Sequence, residues 1–139
     1  MSRSALLFLA ACATLIGHAQ RIDSVHIFQA IPRLAYSTSL AETTGWHLQR
    51  SGATYVTIGP ADLANVNEGL AQRKPTKHEH TALPGLSHLG FAYLGKAAHV
   101  FCLADDDALI IDLTARRQFR FEDWTDRVKL RAALVALGL

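Results

Sequence analysis

Along the C-terminal half of the chain, apolar and polar residues alternate in short runs. Leu89 to Leu94, Ala98 to Ala104, Ala108 to Thr114 and Arg117 to Phe121 each span five to seven residues. They are parted by Gly95-Lys96, Asp105-Asp106-Asp107 and Ala115-Arg116, which are turn-forming or polar residues. A two-residue period broken at such spacing predicts antiparallel hairpins in a meander. Within it, Leu109, Ile111 and Leu113 fall on one face and Asp112 and Thr114 on the other, so this sheet is expected to be covered on one side and wetter on its opposite side. Upstream, Ser24 to Ile31 alternates in the same way, with Val25, Ile27 and Ile31 opposite His26 and Phe28, and Pro32 ends it.

Helical spacing appears twice. After Gly59-Pro60, Leu63, Val66 and Leu70 recur at i, i+3 and i+7, which predicts about three turns of helix beginning at the proline. Asp123 followed by Asp126 marks a helix start, and Val128 to Leu137 is almost all Ala, Leu and Val among Arg127, Lys129 and Arg131. This C-terminal helix is expected to dock Trp124, Val128, Leu130 and Leu134 on the sheet. Trp46 to Arg50 and Ala53 to Ile58 look like two strands joined at Ser51-Gly52, a two-residue hairpin turn. Residues 33–44 fit a frayed helix or a loop, and Arg73 to Gly85 a polar connection with prolines at 75 and 84. The predicted class is α+β: one antiparallel sheet covered on one face by the C-terminal helix and a second short helix.

The first 19 residues have a different texture. Met1 to Ser4 is a short positive start, Ala5 to Ile16 is apolar, and Gly17-His18-Ala19 puts small residues before a cut at Gln20. This order matches a secretory signal peptide, and a stretch of 12 apolar residues is too short to span a bilayer. Residues 1–19 are therefore expected to be removed, leaving residues 20–139 as one globular domain that is secreted or periplasmic. As an alternative, Leu9-Ala10-Ala11-Cys12 resembles the lipobox of bacterial lipoproteins, which implies a lipid anchor at Cys12.

Composition then narrows the classes. Half of the 139 residues are apolar, 19% are charged, and the formal charge is +2. Without Arg3, 13 basic side chains face 12 acidic ones, so the mature domain is nearly neutral and no nucleic-acid partner is expected. Arg116, Arg117, Arg120, Arg127, Lys129 and Arg131 do interleave with Phe119, Phe121 and Trp124, but the aromatics alternate as core does with surface. Of the two cysteines, only Cys102 survives cleavage, so the domain is disulfide-free, and the apolar run around Cys102 marks a buried thiol rather than a nucleophile.

Candidate chemistry is sparse. The chain has no G-x-S-x-G elbow, H-E-x-x-H, Walker loop or C-x-x-C, and Gly85 to Gly90 lacks a phosphate-loop lysine. His78 and His80 at i, i+2 with His88 could supply three nitrogens to zinc or copper, yet Arg73, Lys74 and Lys77 would repel the ion. Asp105 to Asp107 lacks the alternate spacing and glycine of a calcium loop. Asp112 with Glu122 or Asp123 would make a general acid and base pair only if the fold brings them together. No catalytic residue, metal or cofactor is predicted.

One segment carries a recognition motif. Ser51-Gly52-Ala53-Thr54-Tyr55 is similar to the S-G-x-x-Y motif of bacterial periplasmic lysozyme inhibitors. The resemblance implies that Ser51, Gly52 and Tyr55 contact a protein partner, with serine and tyrosine engaging the carboxylates of a glycosidase cleft. The match covers five residues, and the disulfide usual in those inhibitors has no counterpart in a domain with one cysteine. Read without the resemblance, the same residues are a hairpin turn followed by a core tyrosine. The expected function is an exported protein-binding domain, such as an inhibitor or immunity protein of an envelope-acting enzyme or toxin. The alternative is a small metal-dependent or acid-base hydrolase using His78, His80 and His88, and a third reading is a structural envelope component.

Overall fold

A computed structural model describes residues 21–71, 73–83, 85–121 and 124–139. The expected signal peptide, Cys12, Glu122 and Asp123 lie outside the described residues. In chain order the elements are β1 (Ser24–Phe28), α1 (Thr38–Arg50), β2 (Tyr55–Thr57), α2 (Pro60–Ala71), β3 (Thr76–Lys77), β4 (His88–Leu94), β5 (Ala97–Ala104), β6 (Leu109–Asp112), β7 (Arg117–Arg120) and α3 (Trp124–Ala136). All seven strands form one antiparallel sheet in the order β2-β1-β4-β5-β6-β7-β3. The α+β class, the β4 to β7 meander and the C-terminal helix therefore stand as expected.

Trp46 to Arg50 is the difference. It is the last part of α1 rather than a strand, and Ser51-Gly52 ends that helix rather than turning a hairpin. The residues α1 buries are Thr38, Ala41 and Gly45, spaced i, i+3 and i+7. Small and polar residues make an inconspicuous stripe in a sequence, whereas Trp46 and Leu48 imitate a strand's alternation. Ser37 starts the helix by accepting the Leu40 N–H. At the other end, the Ala53 N–H donates to the Leu48 carbonyl and the Gly52 N–H to that of Gln49, a Schellman motif with glycine at φ +72°.

Both sheet faces are covered. Because side chains alternate, Phe91, Val100, Cys102 and Ile111 pack on the α1 face, and Ile27, Ala92, Phe101 and Leu103 on the face beneath α2 and α3. The side that bears Leu109, Ile111 and Leu113 is thus roofed by α1, while the C-terminal helix lies on the opposite side. Of the residues expected to dock, Leu134 is buried, Leu130 partly so and Val128 exposed, and the side chain of Trp124 lies outside the described part. α1 can sit close because Gly45 has no Cβ, which would fall 2.6 Å from Val100 Cγ1. Tyr36, whose hydroxyl donates to the Pro32 carbonyl at 2.7 Å, pins the loop before α1, and burial raises its phenol pKa.

The two sheet edges differ in character. β3 is two residues long and carries Lys77, a short charged edge of the kind that resists further pairing. β2 is the opposite edge, with Tyr55 and Thr57 exposed.

Candidate functional site

The β2 edge meets the C-terminal end of α1 in a groove of about 270 Å³. Strand register builds it: Phe28 pairs with Tyr55 and His26 with Phe91, so His26, Phe28, Tyr55, Phe91 and Tyr93 gather on one face. Phe28 and Phe91 are buried at its base, His26 and Tyr93 are half-buried, and Tyr55 is 48% exposed. The imidazole of His26 lies nearly parallel to the Tyr55 ring at 4.2 Å and edge-on to Tyr93 at 5.1 Å. Gln49, from the last turn of α1, donates its amide to the Tyr93 hydroxyl at 3.3 Å. The result is an apolar floor with an aromatic and hydrogen-bonding rim, the composition that suits a contact surface.

Of the three residues expected at a partner surface, Gly52 and Tyr55 line this groove. Ser51 is the helix cap beside it, exposed, its hydroxyl donating to the Leu48 carbonyl at 3.1 Å. The structure brings them together through a helix end running into an edge strand. His26, Gln49 and Tyr93 complete the site and carry no motif. Their proximity follows from β1 lying between β2 and β4, which local sequence does not encode.

The other candidates are occupied elsewhere. His78 is buried, its ring nitrogens each 3.0 Å from Thr38 Oγ1 and Gln118 Oε1, so it ties β3 to α1 and β7. His88 sits instead beside Ser87 and Asp107, with Ser87 donating to Asp107 at 2.5 Å. Among the described residues no group of three or more His, Cys, Asp or Glu is placed to hold a metal. Asp105, Asp106 and Asp107 all adopt positive φ, the left-handed region that aspartate tolerates better than most side chains. Their carboxylates answer arginines: Asp105 pairs with Arg120 at 2.8 Å, and Asp106 with Arg131 and Arg127.

Two further arginines pair in the same manner. Arg116 meets Glu42 at 3.1 Å, and Asp112 receives His99 at 2.7 Å and Arg117 at 3.5 Å. Those arginines face the fold's own carboxylates, and Phe119 and Phe121 are buried. No helix among the described residues is long and apolar enough to cross a membrane.

Cys102 is a free, fully buried thiol on β5. Burial pushes its pKa up to about 12 from an ordinary 9.0, because the thiolate would lose its hydration. Two outcomes follow. Iodoacetamide at pH 8 leaves the folded protein unmodified and labels it only in denaturant, as mass spectrometry would read; rapid native labelling contradicts the burial. Since the folded pKa lies above the unfolded one, the thiol leaves stability unchanged below pH 9 and lowers it progressively from about pH 9 to about pH 12, as the unfolded chain ionises first.

No protein-family model, no curated protein and no solved structure matches the chain. Function therefore rests on the groove itself.

Proposed function

We propose that this chain is an exported protein-binding domain that docks a partner on the Tyr55 groove, in the manner of an inhibitor or immunity protein of an envelope-acting enzyme or toxin. The observation that carries the reading is the state of Tyr55. A large aromatic side chain stands exposed on a sheet edge and is already held flat against His26, so little rotamer entropy remains to be lost when a partner covers it. Tyrosines of this kind supply a disproportionate share of binding energy, and the buried Phe28 and Phe91 beneath give the partner a firm surface. Residues 1–19 support delivery of the domain outside the cytosol, with acylation at Cys12 as the route that would tether it.

The hydrolase alternative draws less support, because His78 is locked between Thr38 and Gln118 while His88 lies with Ser87 and Asp107. The test is affinity. With the partner isolated from the native envelope fraction, Tyr55→Ala is expected to weaken binding by about 1.4 kcal/mol or more, which is tenfold in Kd by calorimetry. Val135→Ala, an exposed site on α3, is expected to change nothing. Wild-type affinity in Tyr55→Ala would remove the reading.

A further inference from the structure

On the sheet face opposite the groove, α2 and α3 enclose a cavity of about 70 Å³ against Ile27, Ala92 and Leu103. Its walls are apolar except where His99, Asp112 and Arg117 reach it together. Asp112 Oδ2 lies 2.7 Å from His99 Nδ1 and 3.5 Å from Arg117 Nη2, so the carboxylate is already compensated. Arg117 Nε is different: it is buried and has no hydrogen-bond partner. A buried donor left unsatisfied beside an apolar cavity is costly, and an acceptor oxygen arriving with its own apolar body would relieve it.

We propose that this cavity binds a small uncharged molecule with an aliphatic body and one acceptor oxygen, an alcohol, ketone or ester, whose oxygen accepts from Arg117 Nε. Charge selects the class. A carboxylate at that position would face Asp112, whereas a neutral oxygen meets the donor without a second anion nearby. Size selects it too: the resting volume is about half of the roughly 150 Å³ that accommodates benzene in an engineered cavity, so a body of five or six carbons requires α3 to give way. α3 is suited to that, because Leu130 and Leu134 hold it down while Val128 and Val135 face solvent.

The full chain titrated with 1-hexanol, followed by two-dimensional amide NMR, tests the site. The expected result is saturable shifts confined to residues around Ala92, Ile110, Leu130 and Leu134, with hexanoate binding at least tenfold more weakly. Arg117→Lys keeps the positive charge and removes the Nε–H, and is expected to raise the hexanol Kd at least fivefold. Ala92→Ile, which fills the cavity from the sheet, abolishes binding; if its spectrum is not that of a folded chain, Leu130→Phe fills it from α3. Shifts that fail to saturate or scatter over the surface, hexanoate binding as tightly as hexanol, or unchanged affinity in Arg117→Lys would each overturn the proposal.

Discussion

Replacing Phe91 with alanine is expected to lower the unfolding free energy by about 3–5 kcal/mol. The ring is 1% exposed on β4 and stands where three elements converge: 4.9 Å from Trp46 of α1, 6.0 Å from Phe28 of β1, and 6.5 Å from Tyr93 on its own strand. Removing it costs the transfer of a large apolar group and leaves a hole that cannot close, since its walls belong to a sheet fixed by hydrogen bonds and a helix already close-packed at Gly45. A domain of this size has roughly 5–15 kcal/mol in total, so the variant should approach the limit of folding at 37 °C. Urea unfolding followed by tryptophan fluorescence gives the number, and a loss under 1 kcal/mol would mean the three elements do not meet on this ring.

Gly90→Ala is expected to be nearly as damaging for a different reason. Gly90 pairs with Ile27 on one side and Phe101 on the other, at the centre of the sheet. A Cβ there would lie 2.3 Å from the His26 carbonyl oxygen and 3.1 Å from Ile27 Cα, both backbone atoms that cannot rotate away. Relief requires β1 and β4 to part, breaking ladder hydrogen bonds and moving His26 out from under Tyr55. A loss of about 3 kcal/mol, the upper end of overpacking costs, outweighs the few tenths to 1 kcal/mol that alanine gains by restricting the unfolded chain. Thermal unfolding of the purified variant checks it, and a midpoint equal to wild type would contradict the close approach of the two strands.

The elements legible in the sequence are those whose burial is carried by large apolar side chains at a regular period. β4 to β7 announce themselves by alternation between polar tips, and α2 by Leu63, Val66 and Leu70 after Pro60. α1 is hidden because its inward stripe is Thr38, Ala41 and Gly45, residues chosen for how near they let the helix come rather than for hydrophobicity. With α1 hidden, a Schellman cap passes for a hairpin turn, and a sheet roofed on both faces passes for one roofed on one. The site divides in the same way. Ser51, Gly52 and Tyr55 fall within five consecutive residues and can be picked out as a motif, but His26, Gln49 and Tyr93 join them only through strand order and a helix end. The His99–Asp112 pair likewise depends on β5 and β6 lying side by side.

Whether a partner docks on the Tyr55 groove is read by placing a photo-crosslinking phenylalanine analogue at position 55 and, separately, at position 135 on α3, in the chain expressed in its native cell. The expected result is a single adduct of fixed mass from position 55 that is absent from position 135. No adduct at 55, or the same products from both positions, would contradict it.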